Sequence, residues 1–115
     1  MSKILVKASQ AHLFTVDDAM TITEYFTKSD LASVSLVTGK LNGLHGKRRN
    51  QRSAKLYYVV SGELVINLEG RNYELYPGDA LLIRPGEAHT IEGRAATIIM
   101  VCAPAFDVVD EIEEN

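Results

Sequence analysis

The chain has one cysteine, no tryptophan, three prolines and three histidines in 115 residues. A lone Cys102 excludes an internal disulfide and any multi-cysteine zinc site. No apolar run approaches the ~20 residues needed to cross a bilayer as a helix, so no membrane partner is expected. The opening segment MSKILVKASQ has one short apolar patch and no cleavage-site pattern, and a cytoplasmic location is expected. Twelve basic and fifteen acidic residues give a net charge of −3, which argues against nucleic acid as a partner. What remains is ordinary for a folded chain: 46% hydrophobic and 23% charged residues. A single domain over 1–115 is expected, burying roughly two-thirds of its unfolded surface.

The charges are unevenly placed. Lys47, Arg48, Arg49, Arg52 and Lys55 form a basic run that leads straight into an apolar segment. The end of the chain, DVVDEIEEN, carries Asp107, Asp110, Glu111, Glu113 and Glu114. That tail, 107–115, reads as a solvated acidic end, with a short helix expected in the last ten residues.

Period-two alternation recurs and helical periodicity is scarce. AMTITEYFT at 19–27 and LASVSLVT at 31–38 have strand composition, and N-terminal strands are expected within 2–27. KLYYVVSGELVINLEGRNYEL reads as two or three strands turned at Ser61-Gly62 and Glu69-Gly70, because glycine takes the positive φ of tight hairpins. Pro77-Gly78-Asp79 and Pro85-Gly86-Glu87 bracket ALLIR, and AATIIMVCA fits a strand covered on both faces. About eight short strands with regular turns predict an all-β sandwich or barrel.

The order of these turns is more specific. The segments KLYYVVSGEL and YPGDALLIRPGEAH, then CAPAFD, resemble the two sequence motifs and the closing segment of the cupin superfamily, with Gly62, Gly78, Asp79, Gly86 and His89 in register. The resemblance covers residues 31–107. It implies a cupin-type double-stranded β-helix, a jelly-roll barrel commonly paired as a homodimer.

The same resemblance marks a departure. Cupins usually hold a transition metal with three His and one Glu. Here the Glu position falls on Lys55, and the two paired His positions fall on Arg48 and Asn50, or on Arg49 and Gln51 with a shorter spacer. Only His89 remains, and Arg84 stands where a proline usually opens the second motif. Lys and Arg carry donors only and repel cations. A divalent ion ~4 Å from one ammonium costs roughly 8 kcal/mol at an effective dielectric of 20. No metal and no other cofactor is therefore expected, unless His45 joins His89 in a different geometry.

If Lys55 faces inward, strand alternation sends Tyr57 and Val59 inward and Leu56, Tyr58 and Val60 outward. A buried ammonium needs an internal carboxylate or an anionic ligand. Arg48, Asn50, Lys55, Tyr57, Arg84 and His89 are thus the expected ligand-binding residues. Each has a plainer role: a snorkelling or ion-paired lysine, loop or turn arginines, a core tyrosine, a histidine bonded to backbone. The leading expectation is a metal-independent barrel binding a small anionic metabolite, a carboxylate, phosphate or sugar acid. The alternatives are a metal-independent isomerase or epimerase, with His89 as catalytic base and Tyr57 as acid, and a metal enzyme with atypical ligands.

Overall fold

The computed structural model describes residues 3–113; residues 1, 2, 114 and 115 lie outside the described residues, and with them the tail acid Glu114 and the start of the expected 2–27 strand region. Eight strands form: β1 His12–Thr15, β2 Met20–Phe26, β3 Ser35–Asn50, β4 Ala54–Leu68, β5 Arg71–Leu75, β6 Ala80–Ile83, β7 His89–Ala103 and β8 Glu111–Glu113. Every pairing is antiparallel. Strand β7 runs between β3 and β4 along its whole length, from Ser35↔Cys102 and Ala54↔Ala103 to Arg48↔His89 and Leu68↔His89. One half of this ribbon is widened by β2 and β6, with β1 outside β2, and the other half by β8 and β5. The result is the expected all-β jelly-roll arrangement, although among the described residues the sheet stays open rather than closing into a barrel.

Three of the strands are long and bent instead of short. The bends fall at register shifts, between Leu41 and Gly43 on β3 and between Val59 and Glu63 on β4. Gly62 does not turn a hairpin as its sequence context suggests; it carries φ +75° inside β4. A Cβ there would lie 2.2 Å from the Ala95 carbonyl oxygen, so only glycine allows β7 to approach the bend. Glu69-Gly70 does turn a hairpin, both residues having positive φ.

Side-chain alternation along β4 is as expected: Lys55, Tyr57 and Val59 are buried, whereas Leu56, Tyr58 and Val60 are exposed. On β7, Ala96, Ile98, Met100 and Cys102 are buried, while Thr97, Ile99 and Val101 are only half-buried. This strand is therefore fully covered on one face, not both. Leu41, Val59, Leu64, Ile66, Ile91 and Ile98 fill the centre of the core.

The C-terminal segment corrects the sequence reading most. No helix longer than one turn forms there: Val108–Asp110 make a single 3-10 turn and Glu111–Glu113 become β8 on the edge of β3. That edge presents unpaired backbone groups at Arg48–Asn50, and pairing with β8 satisfies them. Asp110 is buried and accepts hydrogen bonds from the backbone N–H groups of Arg52 (2.8 Å) and Ser53 (3.1 Å). The basic run is likewise not a loop, since Lys47–Arg49 lie within β3.

Replacing Asp110 by alanine removes the acceptor of both N–H groups. Urea unfolding of Asp110→Ala is expected to show a loss of about 2–3 kcal/mol; unchanged stability would mean that the tail is not anchored here.

Candidate functional site

The inward faces of the strands enclose a cavity of about 280 Å³. Phe14, Val16, Ile22, Val37, Met100 and Phe106 give it apolar walls, and His45, Arg48, Lys55, Tyr57, His89 and Glu111 give it a polar floor. Four of the expected ligand-binding residues, Arg48, Lys55, Tyr57 and His89, thus share one space. Asn50 is buried but does not line the cavity, and Arg84 is exposed at its turn, away from the cavity.

Lys55 is 7% exposed. Burial alone would discharge its ammonium, but the surrounding Tyr57, Cys102 and Glu111 groups reverse this and its pKa lies above the usual 10.5. Its internal partner is a carboxylate from the tail: Glu111 Oε2 is 3.7 Å from Lys55 Nζ. At an effective dielectric of 20 that attraction is about 4 kcal/mol, enough to offset much of the cost of burying the pair. Glu111 Oε1 also takes Arg48 Nε at 3.3 Å, and Glu113 meets Arg48 Nη1 at 3.5 Å. Lys55 Nζ lies 5.9 Å from the Tyr57 ring centroid, and burial raises the Tyr57 hydroxyl above its usual 10, so it is a proton donor at neutral pH.

His89 begins β7, and its Nδ1 faces the Glu87 carbonyl at 3.2 Å. Burial first, then the Lys55 charge, lowers its pKa to about 4. It is a neutral imidazole, Nδ1–H donating to the backbone and Nε2 left to the cavity.

His45 carried no sequence signal beyond being a second imidazole. It lies on β3 beyond the bend and lines the same cavity, its Nδ1 2.6 Å from Asp17 Oδ2. Asp17 sits in the β1–β2 turn, where Oδ1 accepts from the N–H groups of Ala19 and Met20, each at 2.9 Å. Burial pushes the Asp17 carboxyl up, but His45 and these two N–H groups outweigh it and hold the pKa below 3.8. A carboxylate between a turn and an imidazole is not legible without knowing that β3 folds beside that turn.

The usual cupin metal does not fit this donor set. Lys55 fills the carboxylate position with an ammonium, and Arg48 is engaged by Glu111 and Glu113. Among the described residues no group of three or more His, Cys, Asp or Glu side chains is placed to hold an ion. Nor is any helix among them long and apolar enough to cross a membrane.

With the fold and cavity in place, comparison with known proteins assigns the family. The model of the cupin domain matches residues 37–102, more than half of the chain, and the chain belongs to the cupin family. It is similar to Pac13 of Streptomyces, described as a nucleoside dehydratase, with TM-score 0.89, 23% identity and coverage of 99% of this chain and 92% of that one. Variants of that protein, including one His→Gln and two Tyr→Phe changes, were determined with uridine. KdgF from a Halomonas species is similar at TM-score 0.83 and 19% identity, over 94% of this chain and 99% of that one. An RmlC-like cupin from Shewanella frigidimarina follows at 0.80 and 20%, over 94% and 96%. At these identities the likeness establishes the fold. No match was found among curated proteins.

The depressed pKa of His89 has a consequence for stability. Its folded value of about 4 lies below the unfolded 6.5, so its contribution is complete above pH 6.5 and is lost as the pH falls towards 4. Over that window about 3 kcal/mol should disappear. Urea unfolding at pH 7, 5.5 and 4.5 is expected to show this slope in the wild type and a flatter one in His89→Gln; equal slopes would place the imidazole in water.

Proposed function

We propose that this chain is a metal-independent acid–base enzyme acting on a small, polyhydroxylated, ring-bearing molecule of the nucleoside class. One observation carries the reading. His45, backed by the Asp17 carboxylate, and Tyr57, a protonated phenol beside an ammonium, line one apolar-walled cavity. A base and an acid therefore address the same bound molecule.

The chemistry this arrangement suits is proton removal next to a carbonyl. The Nε2 lone pair of His45 takes the carbon-bound proton, and the Lys55 ammonium stabilises the charge developing on the carbonyl oxygen. Tyr57 donates its proton to a departing hydroxyl, releasing water in a dehydration, or to the adjacent carbon in an isomerisation. His45 suits the role of base better than His89. An imidazole whose pKa is about 4 is a weak proton acceptor at neutral pH. In this reading His89 orients the substrate. Support for the substrate class comes from Pac13, similar over nearly its whole length and determined with uridine.

Balance of charge also favours an uncharged ligand. Arg48 and Lys55 line the cavity together with Glu111 and Glu24, two cations against two carboxylates. A second reading, an anionic metabolite, is favoured by Asn50. Its amide nitrogen and oxygen are buried and have no hydrogen-bond partner among the described residues, and Asn50 sits directly opposite Glu111 in the β3–β8 register. Residues paired in this way are neighbours across the strands, so Asn50 lies behind the Glu111 that a ligand carboxylate would displace to reach Arg48 and Lys55.

A ligand at 100 times its Kd adds about 2.7 kcal/mol of stability. Thermal unfolding with uridine, uridine monophosphate and a panel of sugar acids is expected to show the uncharged nucleoside stabilising the protein. Solvent deuterium uptake into a nucleoside carbonyl compound should be lost in His45→Gln. Stabilisation by anions alone, enhanced in Glu111→Gln, would replace the first reading with the second. A transition metal at one equivalent in untagged protein would overturn both.

A further inference from the structure

We infer that Asp17 is a positioning residue that decides which nitrogen of His45 carries the hydrogen, and so whether His45 offers the cavity a lone pair or a donor. The inference rests on the assignment of His45 as the base and adds the group behind it.

The turn that carries Asp17 is fastened at several points. The N–H groups of Val16 and Asp17 both donate to the Met20 carbonyl, at 2.9 and 3.3 Å. Asn42 N–H donates to the Ala19 carbonyl at 2.9 Å, which ties the turn to β3 just before His45. Gly43, with φ +113°, takes a backbone conformation there that other residues rarely adopt. The two oxygens of Asp17 then divide their work. Oδ1 is held by the N–H groups of Ala19 and Met20, and Oδ2 is held against His45 Nδ1.

A carboxylate only accepts hydrogen bonds, so Nδ1 must carry the hydrogen. In the neutral ring the lone pair is then on Nε2, the nitrogen left to the cavity. Without Asp17 an imidazole exchanges between two tautomers, and only one of them is a base towards the substrate.

Asp17→Asn is unusually informative because the two backbone donors dictate its orientation. Its amide oxygen stays on Ala19 and Met20 N–H, which need an acceptor. Its NH₂ group then takes the place of Oδ2 and points a donor at Nδ1. Nδ1 becomes the acceptor, the hydrogen moves to Nε2, and the cavity meets a donor instead of a base. The turn itself is preserved, as asparagine forms the same backbone contacts as aspartate.

Nitrogen-15 NMR of the free protein at about pH 9, above the ordinary imidazole range, reads the tautomer directly. The wild type is expected to carry the His45 hydrogen on Nδ1 and Asp17→Asn to carry it on Nε2, with thermal unfolding showing both folded. Solvent deuterium exchange into the carbonyl substrate should fall about a hundredfold or more in Asp17→Asn. Hydrogen on Nε2 in the wild type, or an unchanged tautomer in Asp17→Asn, overturns the inference. Exchange that survives a switched tautomer overturns it too. An unchanged tautomer in Asp17→Asn overturns the role of Asp17 alone and leaves His45 as base, whereas exchange retained in His45→Gln removes the base itself.

Discussion

A lysine ammonium buried inside a β-sheet fold must be neutralised or lose its proton, and this requirement at Lys55 organises much of the molecule. The inward phase of β4 commits Lys55 to the interior. Its counter-charge comes from the far end of the chain, where Glu111 enters on β8 and shares its carboxylate with Arg48. The acidic tail is therefore part of the cavity wall, held by Asp110 from behind. Without that strand two cations would face the cavity with Glu24 as its one remaining carboxylate among the described residues.

The same charge shapes the chemistry of the floor. Lys55 helps to keep His89 neutral and lies beside Tyr57, its Nζ 5.9 Å from the ring centroid. Two cations, Arg48 and Lys55, line the cavity with two carboxylates, Glu24 and Glu111. Its two imidazoles are held from outside, His89 by backbone and His45 by Asp17, and apolar walls surround them.

Much of the fold was legible along the chain because strand alternation and turn chemistry are local. Lys55, Tyr57 and Val59 inward with Leu56, Tyr58 and Val60 outward follows from a period of two. Glu69-Gly70 reads as a hairpin because few residues tolerate two positive φ values in succession. Ser61-Gly62 was misleading for the same reason: a positive-φ glycine serves a bend inside a strand as well as a turn between strands, and only the neighbouring Ala95 backbone distinguishes the two. The tail was misread because five acids in nine positions look solvated until the open edge of β3 is known.

By itself the sequence determined the all-β class and the inward row on β4, since these depend on residue type and alternation, and its resemblance to cupins implied the family and the departure from the usual metal ligands. Tertiary structure alone decided which charges meet. Asp17 finds His45 and Glu111 finds Lys55 across long stretches of chain, and Coulomb and hydrogen-bond energies act over ångströms in space, whatever the distance in sequence. Those two contacts bring a basic run and a stray histidine into one cavity, each beside a carboxylate.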